Sequence, residues 1–201
     1  MGLLPSLSGG FIKLNVVFPP LIAGIAYIIQ MYCTSPQVEA FLKGLPVPVE
    51  KVPYVVAAAF PPLIFITGIV PAMILAAVSP DGYDNKSPRK TKAPEYLAER
   101  YPVTFWLQCA HNNTIECATM AAPAFWVAST LGLNSLLFAK LSSLLAIARL
   151  AYIPAYGLGV DALRTTFFAL GFFVITLIGF APIFPDTILP LLGQALPIKS
   201  K

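Results

Sequence analysis

Five long apolar runs take up most of the sequence and restrict what it can fold into. They span residues 11–33, 53–78, 104–130, 135–157 and 162–184. Each run approaches or exceeds the roughly 20 residues that an α-helix needs to cross a bilayer. β-Strands do not fit, because the runs are continuously apolar and an open sheet edge cannot lie in lipid. The sequence therefore predicts an all-α fold, an integral membrane helix bundle that crosses the membrane several times.

The composition supports a membrane protein and excludes several kinds of site. Charged residues make up 11% of the chain, whereas soluble domains carry about 25%. The net charge of +4 is mild and the basic residues cluster in one loop, so we predict no nucleic-acid partner. The three cysteines form no C-x-x-C pair and the chain has one histidine, so we predict neither a disulfide framework nor a metal site.

The distribution of basic residues between loops predicts the orientation of the bundle. The 79–103 segment carries five of them: Lys86, Arg89, Lys90, Lys92 and Arg100. The positive-inside rule places this segment on the cytoplasmic side, together with the ends of the fourth and fifth runs that meet at 158–161. Lys140 lies near the opposite end of its run, where we expect its side chain to snorkel to the interface. A bacterial inner membrane, the endoplasmic reticulum and another organelle membrane all remain open.

A small set of ionisable and amide residues interrupts the apolar runs. Asn113 and Glu116 lie in the third run, Arg149, Tyr152 and Tyr156 lie in the fourth, and Arg164 opens the fifth. A charged side chain at the centre of a membrane helix costs at least about 2.5–3.5 kcal/mol. Such residues are therefore candidates for a functional site.

The spacing of these residues predicts that they converge. Asn113 and Glu116 are three residues apart and share a helix face. Arg149, Tyr152 and Tyr156 form one stripe about 10.5 Å long on the next helix. Together with Arg164, three helices would offer a carboxylate, an amide, two phenols and two guanidiniums. Such a site suits an anionic, peptide-like ligand, because arginine binds carboxylates and the neutral groups supply hydrogen bonds.

Structural roles remain open for the same residues. Glu116 and Arg149 can form a buried pair that fixes the register of two helices. The two tyrosines can be interface aromatics, and Arg164 can anchor its helix on the cytoplasmic side. His111 lies nearly opposite Asn113 on the helix, so we expect it to take part in helix packing.

Two sequence runs resemble the MAPEG superfamily, the membrane-associated proteins in eicosanoid and glutathione metabolism. The first is Ala110-His-Asn-Asn-Thr-Ile-Glu116. The second is Arg149-Leu-Ala-Tyr152-Ile-Pro-Ala-Tyr156-Gly-Leu-Gly-Val-Asp-Ala-Leu-Arg164-Thr165, which is similar to bacterial-type members. The resemblance covers about residues 50–185.

The resemblance implies an architecture and an assembly. Residues 51–201 would form the four-helix protomer of a homotrimer. Residues 1–50 would add an N-terminal transmembrane helix and a loop that the basic pattern lacks. The expected partners are membrane lipid and a lipophilic small-molecule substrate, and the expected cofactor is glutathione, bound between neighbouring protomers near the cytoplasmic side.

The resemblance also implies roles for individual residues. The glutathione-binding set would be Asn113, Glu116, Arg149, Tyr152, Tyr156 and Thr165. Arg164 matches the arginine credited with stabilising the glutathione thiolate, which makes it the catalytic residue. A neighbouring guanidinium lowers the pKa of a thiol and raises the fraction of thiolate. The thiolate would then attack a lipophilic electrophile or reduce a hydroperoxide.

Two functions follow from these observations. The first is a glutathione-dependent transferase or peroxidase. The second is a non-catalytic accessory or structural subunit of a larger membrane complex. Cys109 and Asn112 stand where glutathione-active members usually carry an arginine, and Cys117 replaces a frequent aromatic, which favours the second function. A channel or transporter is less favoured, because the chain has few polar residues for a conduction path and no glycine-rich filter.

Overall fold

The computed structural model describes residues 18–78 and 94–195. Within these ranges the chain forms eight α-helices and one 3₁₀ turn, and no strand. The helices are α1 (Phe18–Thr34), α2 (Pro36–Lys43), α3 (Val52–Val78), α4 (Pro94–Arg100), α5 (Pro102–Thr130), α6 (Ser135–Gly157), α7 (Asp161–Phe180) and α8 (Pro185–Leu191), and the 3₁₀ turn is Val49–Lys51. The predicted all-α fold is confirmed.

Three helical stretches in the described ranges are long and apolar enough to cross a membrane. They are Val49–Val78, Ser135–Gly157 and Asp161–Phe180. Helix α5 has 29 residues, enough to span, but the polar residues along it lower its mean hydropathy. Helix α1 is apolar and shorter, and residues 11–17 of the first predicted span lie outside the described residues.

The predicted helix bounds agree with the structure except near two links. The fifth predicted run ends early, since α7 stops at Phe180 and a turn leads to Pro185 at the start of α8. The 34–52 segment, predicted as a loop, contains α2 and the 3₁₀ turn. Its helix begins because the Ser35 side chain accepts a hydrogen bond from the Val38 amide and a proline occupies the first helical position.

Helix α6 is the centre of the bundle. It packs against α1, α2, α3, α5 and α7, and 67% of its apolar stretch is buried, whereas the corresponding value for α3 is 17%. Two contacts show that helices α5 and α6 run antiparallel. Phe125 packs on Phe138 near one end of the pair, and Leu107 lies against Gly157 near the other. Polar residues on the inner faces of α5 and α6 therefore face each other at matching depths.

Lys140 is buried in the bundle instead of reaching the interface. Its side chain is 6% exposed, and its Nζ donates a hydrogen bond of 2.9 Å to the Cys33 carbonyl at the end of α1. The same Nζ lies 3.5 Å from a carboxylate oxygen of Glu39. The last carbonyls of a helix lack partners within the helix and favour a nearby cation, so this lysine holds the end of α1 against α6.

Glu39 of α2 also pairs with an exposed lysine of its own helix. Lys43 donates a hydrogen bond of 2.7 Å to Glu39, and this bond is the main reason why the pKa of Glu39 lies below its ordinary value. Tyr32 of α1 also shares a hydrogen bond of 3.1 Å with Ser143 of α6. Helix α1 is thus joined to the bundle by polar contacts as well as apolar packing.

A tight turn connects α6 to α7 and sets the position of the candidate site. Gly159 has φ +67°, and a side chain there would meet the Trp106 ring of α5 at 3.0 Å. A glycine is required at this left-handed position. The turn places the first residues of α7 beside the end of α6 and the start of α5. The basic residues Lys86, Arg89, Lys90 and Lys92 lie outside the described residues, so the orientation stays a prediction.

Candidate functional site

Four side chains from α6 and α7 stack into one column inside the bundle. The Arg149 guanidinium lies 5.0 Å from the centre of the Tyr152 ring, and that ring lies 5.1 Å from the Tyr156 ring in an edge-to-face arrangement. The Arg164 guanidinium lies 4.8 Å from the centre of the Tyr156 ring. A cation over an aromatic face is attracted by the ring, so each end of the column is held by a cation–π contact.

Asn113 of α5 joins the column from the facing helix. Its Nδ2 donates to the Tyr152 hydroxyl at 2.5 Å and lies 3.4 Å from the Tyr156 hydroxyl. The spacing of three and four residues on α6 puts both phenols within reach of one amide. The structure therefore brings together Asn113, Arg149, Tyr152, Tyr156 and Arg164, as the sequence predicts.

Arg149 is enclosed at the inner end of the column. The residue is 2% exposed, and neither its Nε nor its Nη1 has a hydrogen-bond partner among the described residues. A Cβ at Gly171 of α7 would lie 2.6 Å from Nη2, so glycine provides the space for the guanidinium. A buried, incompletely paired charge is costly, and the rings of Tyr152 and Phe168 supply part of its stabilisation.

Arg164 occupies the outer end of the column and is partly accessible. Its side chain is 32% exposed, and one of its terminal nitrogens lies 3.1 Å from a carboxylate oxygen of Asp161. Asp161 is 80% exposed and lies in the first turn of α7, where an acidic residue is favoured. Of the two arginines, Arg164 is the one that a ligand from outside the bundle can reach.

Glu116 points away from the column, although it is three residues from Asn113. It is exposed and lines an open groove of about 570 Å³ together with Thr119, Met120, Phe168 and Phe172. No ion pair joins Glu116 to Arg149 in the described part of the chain. Asn112 shares this outer face and accepts a hydrogen bond of 3.3 Å from Gln108. The outer face of α5 therefore carries a polar stripe of Gln108, Asn112 and Glu116.

The remaining candidates lie outside the column. Thr165 is exposed at the position after Arg164 and does not belong to the column. His111 lies between α5 and α3, where its Nδ1 is 3.2 Å from the Thr67 hydroxyl and its ring fills the space above Gly68. His111 thus takes part in helix packing, as expected.

Two cysteines occupy positions beside the column that sequence reasoning did not assign. Cys109 and Cys117 lie four residues before and after Asn113, so all three share the inner face of α5. Cys117 is fully buried, whereas Cys109 is half-buried. The spacing of four on either side of Asn113 is the sequence signal for this arrangement.

Other contributors to the site had weaker sequence signals. Asp161 and Arg164 are three residues apart, a spacing that predicts an ion pair on one helix. Gly171 and Phe168 contact Arg149 from α7, and nothing in a single sequence indicates that pairing. Among the described residues, no group of three histidine, cysteine or acidic side chains converges on a point that could hold a metal ion.

One comparison with known proteins gives a match. The sequence model described as the MAPEG family matches residues 52–184, a range that contains α3, α5, α6, α7 and every candidate site residue. No curated protein and no solved structure matches the chain. Together with the three membrane-spanning stretches, the match makes the chain a multi-pass integral membrane protein.

Proposed function

The chain belongs to the MAPEG family, and on this premise we propose that the column is a glutathione site serving transferase or peroxidase chemistry on lipophilic electrophiles. The observation that carries the proposal is Arg164, a partly exposed guanidinium stacked on a phenol at the open end of a polar cluster. Such a group favours the thiolate form of a thiol placed beside it.

The neutral groups of the column would orient the ligand. The Tyr156 ring lies against the Arg164 guanidinium, and the Asn113 amide lies within hydrogen-bond distance of the Tyr156 hydroxyl. Both neutral groups supply hydrogen bonds of the kind that a tripeptide backbone accepts or donates. Arg149 is enclosed beneath Tyr152, so we propose that it positions the tyrosine ring and does not touch the ligand. When bound, glutathione supplies the nucleophilic sulfur.

The outward polar stripe of α5 supports a homotrimer. Glu116 lies near the middle of a 29-residue helix and is exposed on the surface of the protomer. A carboxylate facing lipid at that depth costs at least about 2.5–3.5 kcal/mol, which a neighbouring protomer would relieve by covering it. In that assembly Glu116 and Asn112 would face the space between protomers and would bind the far end of the ligand.

Glutathione conjugation by purified protein in detergent tests the proposal. The assay uses an electrophile such as a chloronitrobenzene and compares the wild type with Arg164→Ala. Arg100→Ala is the matched control, because Arg100 is an exposed arginine on α4 outside the column. We expect the wild type and the control to conjugate glutathione and Arg164→Ala to lose most of the activity. An inactive wild type, or equal activity in all three proteins, would refute the proposal.

A non-catalytic subunit is the second candidate, and one observation favours it. Arg164 is already paired with Asp161, so the guanidinium is partly neutralised without a ligand. In that case the protein would associate in fixed proportion with other subunits. Migration as a homotrimer on a native gel, together with stronger conjugation by Asp161→Asn than by the wild type, would argue against this candidate.

A further inference from the structure

An apolar groove lies between α3 and α6. Its volume is about 310 Å³, near the lower end of the range of ligand pockets, roughly 300–1,000 Å³. Its residues on α3 recur every three or four positions, so they share one face of that helix. The apolar side chains that line it include Val55, Ala59, Leu63 and Ile66 of α3 and Ala146 and Leu150 of α6. The two alanines have short side chains, which leave room between the helices.

The groove opens sideways, toward the surface that faces lipid. Val55, Ile66 and Leu150 are each more than half exposed, although all three are large apolar residues on membrane-spanning helices. A molecule dissolved in the bilayer can therefore enter the groove without passing through water. The apolar walls suit a hydrocarbon chain.

Among the described residues that line this groove, Arg149 is the only charged one. It is enclosed, and neither its Nε nor its Nη1 has a hydrogen-bond partner in the described part of the chain. The rings of Tyr152 and Phe168 contact the guanidinium but leave both nitrogens without an acceptor. The ion pairs of the described residues do not include Arg149. A buried cation without an anion is costly, so this position lacks an anionic acceptor.

We propose that the groove binds a long-chain fatty acid, with its hydrocarbon tail along α3 and its carboxylate paired with Arg149. The tail matches the apolar walls, and the carboxylate supplies the acceptor that the guanidinium lacks. Hydrogen bonds between a guanidinium and a carboxylate are among the strong ones, because both groups are charged.

The depth of Arg149 favours a fatty acid over a phospholipid. Eight residues of α6 follow Arg149, so it lies roughly 12 Å from the nearer end of the helix. A phospholipid would have to bring its whole headgroup and glycerol to that depth. A fatty acid brings only a carboxylate, and the guanidinium compensates the charge of that group inside the membrane.

This inference does not depend on glutathione chemistry. Asn113, Tyr156 and Arg164 form the part of the column that the proposed function uses, and none of them lines the groove. Fatty-acid binding is therefore measured without glutathione, and either proposal can fail while the other stands.

Photolabelling tests the groove with the full-length protein in phosphatidylcholine nanodiscs at alkaline pH, where the carboxylate is ionised. The probe is octadecanoic acid with a diazirine in its tail, and labelled peptides are identified by mass spectrometry. We expect label on the groove residues of α3 and α6 that unlabelled oleic acid displaces. Methyl oleate should displace it at least about ten times less well, because the ester lacks the hydrogen bond between charged groups. Added phosphatidylglycerol should not displace it.

Displacement by methyl oleate or by phosphatidylglycerol as effective as displacement by oleic acid would overturn the inference, since the carboxylate of a free fatty acid would then not be what is recognised. Label confined to other residues would overturn it too. The same holds for a wild type without label in the groove, the result expected if a second copy of the chain covers this face.

Two pairs of variants separate the charge from the shape of the groove. Arg149→Met should reduce labelling by about tenfold or more and make oleic acid and its methyl ester equally effective, whereas Arg100→Met, at an exposed arginine of α4, should label like the wild type. Ala59→Phe should fill the groove and abolish labelling. Ala58→Phe is the matched control, because Ala58 is the exposed neighbour on α3 and does not line the groove.

Unchanged labelling of Arg149→Met, or equal labelling of Ala59→Phe and Ala58→Phe, would overturn the inference. The alanine pair and the comparison of acid with ester on the wild type keep the test decisive if Arg149→Met does not fold.

Discussion

Replacing Gly171 by alanine tests whether the Arg149 guanidinium is held as tightly as the structure indicates. The new Cβ would lie 2.6 Å from Nη2, 3.1 Å from Nε and 3.3 Å from Cζ of that arginine. Carbon and nitrogen atoms do not approach so closely, so the guanidinium has to move by several tenths of an ångström. It has little room, because Arg149 is 2% exposed and lies against two aromatic rings.

The expected cost follows from two opposing terms. Overpacking of a well-filled interior costs about 1–3 kcal/mol. Alanine in place of a helical glycine returns about 0.8–1 kcal/mol through backbone propensity. We therefore expect Gly171→Ala to lower the free energy of unfolding by up to about 2 kcal/mol, which for a chain of this size lowers the melting temperature by roughly 4–8 °C.

Thermal unfolding in detergent measures the effect, with Gly24→Ala as the matched control. Gly24 is also inside a helix, but a Cβ there would have no atom within 4 Å, so only the propensity gain applies. Arg149→Met removes the guanidinium, and in that background Gly171→Ala should cost nothing. If Gly171→Ala melts like Gly24→Ala, or if its cost persists beside Arg149→Met, the close packing around the guanidinium is refuted.

Three further predictions concern hydrogen bonds and pH. Tyr152→Phe should lower the free energy of unfolding by about 1–2 kcal/mol in a thermal melt, because the partly buried Asn113 amide loses its shorter hydrogen bond. The control Tyr27→Phe, at an exposed tyrosine, should change it little, and equal shifts would contradict the bond. Lys140→Met should lower the free energy of unfolding by about 1–3 kcal/mol. Lys43 is exposed, so Lys43→Met should lower it by less than about 1 kcal/mol. The reverse order would contradict the role of Lys140 in holding α1 against α6. The lowered pKa of Glu39 means that its carboxylate favours the folded state above the unfolded-state pKa, and that this contribution is lost as the pH falls through the folded-state pKa. The melting temperature should therefore fall more steeply with acid in the wild type than in Glu39→Gln, and identical slopes would contradict the sign.

Local rules predict the helices of this protein well. Helix α6 matches its prediction at both ends, because Asn134 caps its first turn with two bonds to backbone amides and a glycine follows its last turn. The three column residues of α6 are also predictable, since a spacing of three and four residues puts Arg149, Tyr152 and Tyr156 on one face whatever surrounds the helix. The residues that determine these helix ends and this shared face lie within a few positions of one another in the sequence.

Two other features depend on how the helices pack against one another, and the spacing of residues along one helix does not determine that packing. Asn113 and Glu116 are close on the helix surface, yet the first bonds Tyr152 and the second is exposed, because the edge of the contact between α5 and α6 passes between them. Lys140 has the sequence context of a snorkelling lysine. It is buried because the end of α1 presents the Cys33 carbonyl to it from a distant part of the chain.

The bond between Lys140 and Cys33 has a consequence for how the protein is made. Its two residues are 107 positions apart, and α3 and α5 lie between them in the chain. During synthesis α1 is made before α6, and its terminal carbonyl gains this partner only when α6 has been made and has packed against it. Helix α1 therefore gains this contact only late in synthesis. In a chain stalled before residue 140, α1 would lack the contact, and quality-control proteases of the membrane should degrade it.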